Sequence, residues 1–412
     1  MRGRPARGLA AASVPKVATR VALAGALVAV LLLSGCDTVR YYAQSVNGHL
    51  SVMAQARPLD DAIADARAAN DVRLAQRLAL AGEIRAYASR ELKLPDNGSY
   101  RRYADLHRSF VVWSVFATPE LSMTLKTWCF PVVGCISYRG YYDQADAERY
   151  AAQLRSEGLE AYVAGIPAYS TLGYFDDPLL NTFVHQPAGE LARLIFHELG
   201  HQVVYVRNDT AFNESFATAV ETAGVAGWMA QEATPEQRAS YRQFDQRRQQ
   251  FRALVLAARN RLDALYRSPL SDAEKRRRKA ELLAELRRQY AGLKAGWGGY
   301  AGYDRWFAGP LVNPQFAAVA TYQQWVPAFL ALLARCGGDW ERFYAEARRI
   351  GDLPPPERQA ALRALAPPAA EDAGWTDVAV PGGGESRGAA AASAGVAGSA
   401  KGEMHGAAAE PR

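Results

Sequence analysis

The sequence has no acidic residue before Asp37, no glycine-rich phosphate loop, no nucleotide-binding fingerprint and no internal repeat. Nothing in it therefore points to nucleotide chemistry or to a repeat architecture. Behind the first 36 residues, no apolar run approaches the roughly 20 residues that a membrane-spanning helix needs. With 49% hydrophobic and 22% charged residues, the chain fits a globular protein and excludes a wholly disordered or fibrous one.

Positive charge is concentrated at the start of the chain. Without the cations of the first 35 residues, the formal net charge falls from +6 to +1. The basic balance therefore belongs to a targeting segment, and we predict no nucleic-acid partner. The cations in question are Arg2, Arg4, Arg7, Lys16 and Arg20.

Residues 1–35 are predicted to be a lipoprotein signal peptide. An uncharged apolar run of thirteen residues, 21–33, follows the basic stretch and is too short for a stable membrane span. Leu33-Ser-Gly-Cys36 resembles the bacterial lipobox, which implies cleavage before Cys36, diacylglycerol on its sulfur and an acyl chain such as palmitate on its amino group. Asp37 resembles an inner-membrane retention signal, so we expect a periplasm-facing protein on that membrane. The alternative is an ordinary secretory signal.

The rest of the chain divides into one domain and a tail. From residue 381 to 412, 18 of 32 residues are Ala or Gly, which bury too little apolar area to fold, so 367–412 is predicted to be disordered. Residues 36–366 form the predicted domain, with an α-hairpin inserted at about 234–293. The basic run 275–279 of that hairpin is interpreted as a solvated helix face, because glutamates surround it.

An exported chain meets an oxidising compartment, in which cysteines can pair. Cys129 and Cys135 enclose a short loop with Pro131 and Gly134, and we predict a disulfide between them. Cys336 lies in an apolar helical pattern and is predicted to be a buried free thiol.

The predicted fold class is α+β, mainly helical, with a small sheet beside a central helix and a protruding α-hairpin. Residues 41–94 are expected to be mostly helical. The patterns predict strands at 110–116, 121–128 and 160–165. They predict helices at 144–157, 191–206 and 210–229, and a helical hairpin with N-caps at Thr234 and Ser271.

The segment His197-Glu198-Leu-Gly-His201 carries the clearest chemical signal. On a helix, His197 and His201 lie one turn apart on one face, where two imidazoles can bind one metal ion. Glu198 is then placed to accept a proton from metal-bound water without ligating. The alternative is an ordinary pair of surface histidines beside a glutamate.

A catalytic zinc site needs a third protein ligand. Glu214, on the next predicted helix, is the favoured candidate. Glu221 lies two turns further on the same face and is either a partner that supports the ligands, an alternative ligand or a surface acid. Asp209 or Thr210 is expected to cap this helix.

These two motifs, His-Glu-x-x-His and Asn213-Glu214-x-x-Ala217, resemble the gluzincin arrangement, in which the second glutamate is a zinc ligand. The resemblance implies a zincin-like core, with the small sheet flanking the motif helix. The gap between His201 and Glu214 is shorter than is usual in those enzymes. Together with the lipobox, the motifs resemble the bacterial family of predicted zinc-dependent aminopeptidase lipoproteins, over most of Cys36 to about Ile350. The other segments that carry this resemblance are 128–135, 138–141 and 168–178.

Substrate contacts are predicted for Tyr174, Asp176 and Asp177, with an acid holding a free amino terminus, although Asp-Asp-Pro is equally good turn chemistry. Residues 160–170 are the predicted sheet edge along which a peptide lies. Tyr322 is the favoured donor to the oxyanion. The weaker candidates for that role are Tyr300, Tyr303 and His185.

The prediction is therefore a membrane-tethered zinc peptidase, an aminopeptidase by resemblance, with one Zn²⁺ per chain. The alternative is a non-catalytic envelope lipoprotein with a structural metal site and a hairpin that binds a partner. A fourth protein ligand would favour the alternative, since structural zinc sites are closed.

Overall fold

The structure, a computed structural model, describes residues 38–131 and 133–366. The predicted signal peptide, Cys36 and the predicted tail lie outside these residues. The described chain is mainly helical with three small sheets, so the predicted α+β class is confirmed. The helices are α1 (38–55), α2 (Leu59–Ala68), α3 (Val72–Arg90), α4 (Gln144–Ser156), α5 (Asn181–Val184), α6 (Ala188–Gly200), α7 (Thr210–Gln231), α8 (Pro235–Arg267), α9 (Asp272–Gly296), α10 (Asp304–Ala308), α11 (Asn313–Thr321), α12 (Val326–Arg335), α13 (Trp340–Gly351) and α14 (Pro355–Leu365). The strands are β1 (Arg57–Pro58), β2 (Arg102–Ala104), β3 (Val112–Pro119), β4 (Trp128–Phe130), β5 (Gly134–Ile136), β6 (Arg139–Tyr141), β7 (Leu159–Ile166) and β8 (Leu179–Leu180).

The sheet that positions the site has the strand order β6-β3-β7, with both pairings antiparallel. Successive side chains of a strand point to opposite faces. On one face, Val115 of β3 and Ala161 of β7 pack against Ala147 and Leu154 of α4. Ser114 of β3 and Tyr162 of β7 point the other way and line a cavity. One face of the sheet thus holds the fold together and the other is available to a ligand.

The other two sheets are small and join segments that are distant or adjacent in the sequence. Strand β2 pairs antiparallel with β1 and parallel with β8. Strands β4 and β5 form a hairpin in which Cys129 is directly opposite Cys135. These two cysteines form a disulfide and Cys336 is a buried free thiol, so both cysteine predictions are confirmed.

The main core packs α6 and α7 against α3, α12 and α13. Helix α6 contributes the fully buried residues Leu191, Ile195 and Leu199 to this core. On α7, Phe216 packs on Phe329 of α12 at 5.5 Å between ring centroids. A helix whose rear face is this deeply buried is a rigid support for the side chains on its front face.

The α-hairpin of α8 and α9 has its own apolar cluster. Leu262 of α8 and Leu286 of α9 are buried together with Phe307 and Phe316, so the hairpin packs against α10 and α11. Thr234 and Gln237 form the expected capping box, and the Ser271 side chain caps α9. The hairpin therefore lies on the flank of the domain.

Residues 41–94 are mostly helical, as predicted, with breaks at 56–58 and 69–71. Two other predicted elements need correction. The predicted strand 121–128 is wrong except at its last residue, because Met123 is buried in the hairpin cluster and the carbonyl of Ser122 accepts from a side chain instead of from a neighbouring strand. The helix predicted at 191–206 ends at Gly200, because the backbone of Val206 is bonded to Asn213.

One apolar stretch of the described residues, Asn313–Arg335, is long and apolar enough to cross a membrane by length and composition. The sequence prediction overlooked it. In the structure it is interrupted by a turn at 322–325, with α11 on one side and α12 on the other. Because α11 packs on α8 and β3, and α12 packs on α7 and α14, the two halves are parts of the fold.

Asn313 joins the hairpin to the sheet. Its side-chain amide donates to the carbonyls of Glu120 (2.7 Å) and Ser122 (3.2 Å), and its carbonyl oxygen accepts from the hydroxyl of Tyr266 (2.8 Å). Its backbone N–H donates to the Glu160 carboxylate of β7 (2.7 Å). All of these bonds are made by a fully buried residue.

We expect Asn313→Ala to lower the free energy of unfolding by about 3 kcal/mol, because it leaves the buried hydroxyl of Tyr266 without its acceptor and the carbonyl of Ser122 without its donor. Chemical denaturation measures this. The matched control is Asn260→Ala on the exposed side of α8, which should change stability by less than about 0.5 kcal/mol. Equal effects of the two substitutions would contradict this role of Asn313.

Candidate metal centre

Helix α6 carries both motif histidines to one point. His197 lies in its last turn and His201 is its C-cap residue. The Nε2 atoms of the two imidazoles are 3.2 Å apart. Both residues are buried, as the packed rear face of α6 requires.

The third member of the cluster comes from α7. Glu214 Oε2 lies 3.3 Å from Nε2 of His197 and 3.7 Å from Nε2 of His201. Tetrahedral ligands with bonds of about 2.0–2.1 Å are about 3.3 Å from one another. The three atoms therefore have the spacing of ligands around one small cation. Among the described residues, no fourth His, Cys, Asp or Glu joins this group.

The Asn-Glu-x-x-Ala motif explains how α7 brings Glu214 to the histidines. The side chain of Asn213 bonds to both the N–H and the C=O of Val206, at 2.7 and 2.8 Å, and so fixes the connection between the two helices. Asp209 caps α7 by accepting from the N–H of Phe212, as one of the two expected capping residues.

At the crossing of α6 and α7, a Cβ atom added to Gly200 would lie 3.4 Å from Cα of Ala217. The small residues at these two positions let the backbones approach closely. That approach brings the carboxylate of Glu214 within reach of the imidazoles.

Glu221 contacts the other side of His197. Its Oε2 lies 3.0 Å from Nδ1 of His197, and its Oε1 accepts from Arg193 at 2.6 Å. Of the roles that the sequence left open, this placement fits a carboxylate that orients a ligating histidine. The chain of charged contacts continues from Arg193 to Glu190 at 3.0 Å and from Glu190 to Arg248 at 2.6 Å.

The ionisation of the ligand group follows from its burial and its neighbours. Burial opposes ionisation of Glu214, but the imidazoles of His201 and His197 outweigh it and lower its pKa to about 2. Burial likewise disfavours a charged His197, yet contacts with Glu214 and Glu221 raise its pKa to about 10. A bound cation would replace that proton, since a ligating imidazole nitrogen has to be free of it.

Glu198 is half-buried and lines the cavity next to the cluster without belonging to it. Burial raises the pKa of its carboxyl, although the two imidazoles act in the opposite direction. A carboxylate with a raised pKa beside a cation site is suited to take up a proton and to release it.

The cavity has a volume of about 630 Å³ and lies between α6, the free face of the sheet, α8 and α11. Tyr322 lines it with its ring stacked 6.2 Å from that of His197, and burial raises its pKa well above the usual range. The turn that carries Tyr322 is held by a bond from the N–H of Trp325 to the hydroxyl of Ser215. Among the weaker candidates, Tyr303 lines the cavity but stacks on Phe251 at 4.1 Å, and His185 and Tyr300 do not line it.

The predicted substrate residues lie outside the cavity lining. Tyr174 is 72% exposed. Asp176 lies against Gly98, and Asp177 is buried, accepts from the N–H of Thr171 at 2.9 Å and has a pKa raised by burial to about 7. Tyr169, Ser170 and Leu172 of the same segment do line the cavity. A role for Tyr174, Asp176 and Asp177 in substrate binding stays a prediction.

Sequence reasoning missed several residues of the cavity. Tyr138 and Tyr205 both line it near Glu214. They come from a loop and a turn that no periodicity connects to the motif. The position of Arg193 could have been predicted from the sequence. It precedes His197 by one helical turn and therefore lies on the same face of α6.

Comparison with known proteins gives one result. Residues 40–362 match the family model described as Putative aminopeptidase. No curated protein and no solved structure shows a significant match to the chain.

We expect Glu221→Gln to weaken metal binding by about 10- to 100-fold, because the amide no longer holds the His197 imidazole with a charge. Titration of the metal-free protein with Zn²⁺ against a chromophoric chelator measures the affinity. Glu232→Gln, at the exposed end of the same helix, is the matched control and should bind as the wild type does. An unchanged affinity in Glu221→Gln would show that this carboxylate does not support the site.

Proposed function

Since the chain belongs to the Putative aminopeptidase family, we propose that it is a zinc-dependent peptidase that removes amino-terminal residues from peptides. The observation that carries the zinc proposal is the convergence of His197, His201 and Glu214 beside Glu198 at the wall of a large cavity. Two imidazoles and one carboxylate are a donor set that suits zinc at a catalytic site.

His197, His201 and Glu214 would hold the ion. When bound, zinc would make a water molecule more acidic and polarise the carbonyl group of the peptide. The spacing of the three ligand atoms supports one tetrahedral centre. The lack of a fourth His, Cys, Asp or Glu in the described cluster supports a site with an open position, in contrast to the closed structural site of the alternative proposal.

Glu198 would act as the general base. Its carboxylate takes a proton from the attacking water and then passes it to the leaving amine, so the same group serves both halves of the reaction. Its raised pKa supports this role, because a carboxylate of higher pKa is a stronger base and takes the proton from water more readily.

Tyr322 would donate its hydroxyl proton in a hydrogen bond to the oxygen that becomes negative as the carbonyl is attacked. Its high pKa keeps the hydroxyl protonated at neutral pH, as a donor has to be. The ring of Tyr322 contacts that of His197, whereas the ring of Tyr303 is stacked on Phe251, which supports Tyr322 as the donor.

The peptide would lie along β7. This strand is at the edge of its sheet among the described residues, and Tyr162, Ala164 and Ile166 line the cavity in alternation. An extended peptide can add to such an edge through backbone hydrogen bonds. Asp176 and Asp177 remain the predicted partners of its free amino terminus.

We also propose that lipid on Cys36 tethers the enzyme to the bacterial inner membrane, facing the periplasm. The support is the lipobox and the basic, acid-free leader before it.

Glu198→Gln should retain the metal and lose at least about 100-fold in turnover, because the amide cannot accept the proton. Digestion of a peptide library, followed by mass spectrometry, measures the loss, and elemental analysis measures the metal. Glu83→Gln, an exposed carboxylate on α3, is the control and should keep full activity. Equal activity in the wild type and in Glu198→Gln would contradict the role of Glu198 as general base.

Tyr322→Phe should lower kcat by about 100-fold with little change in KM, because the lost hydrogen bond forms mainly in the transition state. Steady-state kinetics on a peptide cleaved by the wild type measures both constants. Tyr303→Phe serves as the matched comparison and should change kcat by less than about threefold. The reverse order would assign the oxyanion to Tyr303.

Cys36→Ser should release the protein from the membrane fraction, because the serine hydroxyl cannot take the thioether-linked diacylglycerol. Fractionation of cells that produce wild type and variant, with immunodetection, measures the distribution. Retention of the variant in the membrane fraction at high salt would contradict lipid tethering.

A further inference from the structure

Helix α8 forms one wall of the cavity. Four of its residues, which lie on one face of the helix, line the cavity: Phe244, Arg248, Phe251 and Arg252. Arg193 of α6 lies on the adjoining wall. Three guanidinium groups therefore face the same cavity as the proposed zinc ligands.

Two of these arginines form ion pairs with carboxylates of the protein. Arg193 bonds to Glu190 and Glu221, and Arg248 bonds to Glu190, Asp245 and the hydroxyl of Tyr241 at 3.2 Å. The third differs from them. Arg252 makes no hydrogen bond or ion pair with any residue in the described part of the chain, although its side chain is partly buried in the cavity wall.

The surroundings make this unpaired cation costly. Burial lowers the pKa of Arg252 to about 10, the neighbouring Arg248 and Arg193 lower it as well, and Glu221 acts against them. The group stays charged at neutral pH. A desolvated charge without a partner is unfavourable, and an anion that enters the cavity would supply the missing partner.

We infer that Arg252 binds a carboxylate of the peptide substrate, and so selects peptides that carry a carboxylate close to the scissile bond. This rests on the proposed peptidase function. The planar guanidinium matches a carboxylate in a two-bond arrangement. Arg252 lines the same cavity as His197, His201 and Glu214, so a carboxylate bound to it shares that cavity with the proposed zinc site.

A carboxylate can come from the carboxyl terminus of a short peptide or from an Asp or Glu side chain. Four peptides separate these sources: Leu-Ala-Ala as the free acid and as the amide, and the amides of Leu-Glu-Ala and Leu-Gln-Ala. A preference for the first acid over its amide assigns the terminus. A preference for the Glu peptide over the Gln peptide assigns the side chain.

Binding is measured by calorimetry on the zinc-loaded Glu198→Gln protein, in which the peptides should stay intact. We expect the carboxylate member of at least one pair to bind about tenfold or more tightly than its neutral partner. Adding Arg252→Gln should remove this preference, and Arg252→Lys should restore part of it. The matched control is Arg242→Gln, an exposed arginine of α8 outside the cavity lining, which should preserve the preference.

The melting temperature separates binding from a purely structural role. Arg252→Gln should melt at or above the temperature of the wild type, because it removes a charge without a partner. A fall in melting temperature with an unchanged peptide preference would overturn the inference. No preference in either pair, no binding of any of the four peptides, or a preference that persists in Arg252→Gln would overturn it as well.

Turnover of the same peptides by the otherwise unmodified protein distinguishes the two proposals. Cleavage without a carboxylate preference would contradict the proposed role of Arg252 and would support the proposed peptidase activity. Binding with the expected preference but without cleavage would contradict the proposed peptidase activity and would support Arg252 as a carboxylate-binding residue.

Discussion

The candidate site depends on the close crossing of α6 and α7. His197 and His201 come from one helix and Glu214 from the next, so the three ligand atoms meet only if the two backbones nearly touch. Gly200 and Ala217 permit this approach, and Asn213 fixes the connecting segment that sets the angle between the helices. A larger side chain at either small position would separate the helices and pull the carboxylate away from the imidazoles.

The same crossing creates an electrostatic problem that the neighbouring helices solve. It buries Glu214 and Glu221 beside two histidines, and buried charges are stable only when they are paired. Arg193 partners Glu221, and Glu190 then links Arg193 to Arg248 of α8. The chain of contacts ties the ligand helix to the hairpin, so the hairpin contributes a charged wall to the cavity besides its own packed core.

The sequence alone correctly predicted those parts of the fold that are determined by local patterns. The boundaries of α4, α7 and the hairpin helices follow from caps and periodicity, and the disulfide follows from a six-residue separation. The sequence-based prediction was wrong where a side chain from a distant part of the sequence forms hydrogen bonds with the backbone. Asn313 binds the carbonyl of Ser122 in the expected strand 121–128, and Asn213 binds the backbone of Val206 beyond α6. Tyr138 and Tyr205 were missed for the related reason that only the tertiary fold brings them to Glu214.

The apolar stretch 313–335 shows how a departure from local preference can serve the site. Its composition favours one continuous helix of membrane-spanning length, yet the chain turns at 322–325. Tyr322 is the C-cap residue of α11, and at this turn its ring stacks on that of His197. Ser215 holds the turn from α7, the helix that also supplies Glu214. One helix therefore supplies the carboxylate of the cluster and holds the turn that carries the aromatic ring.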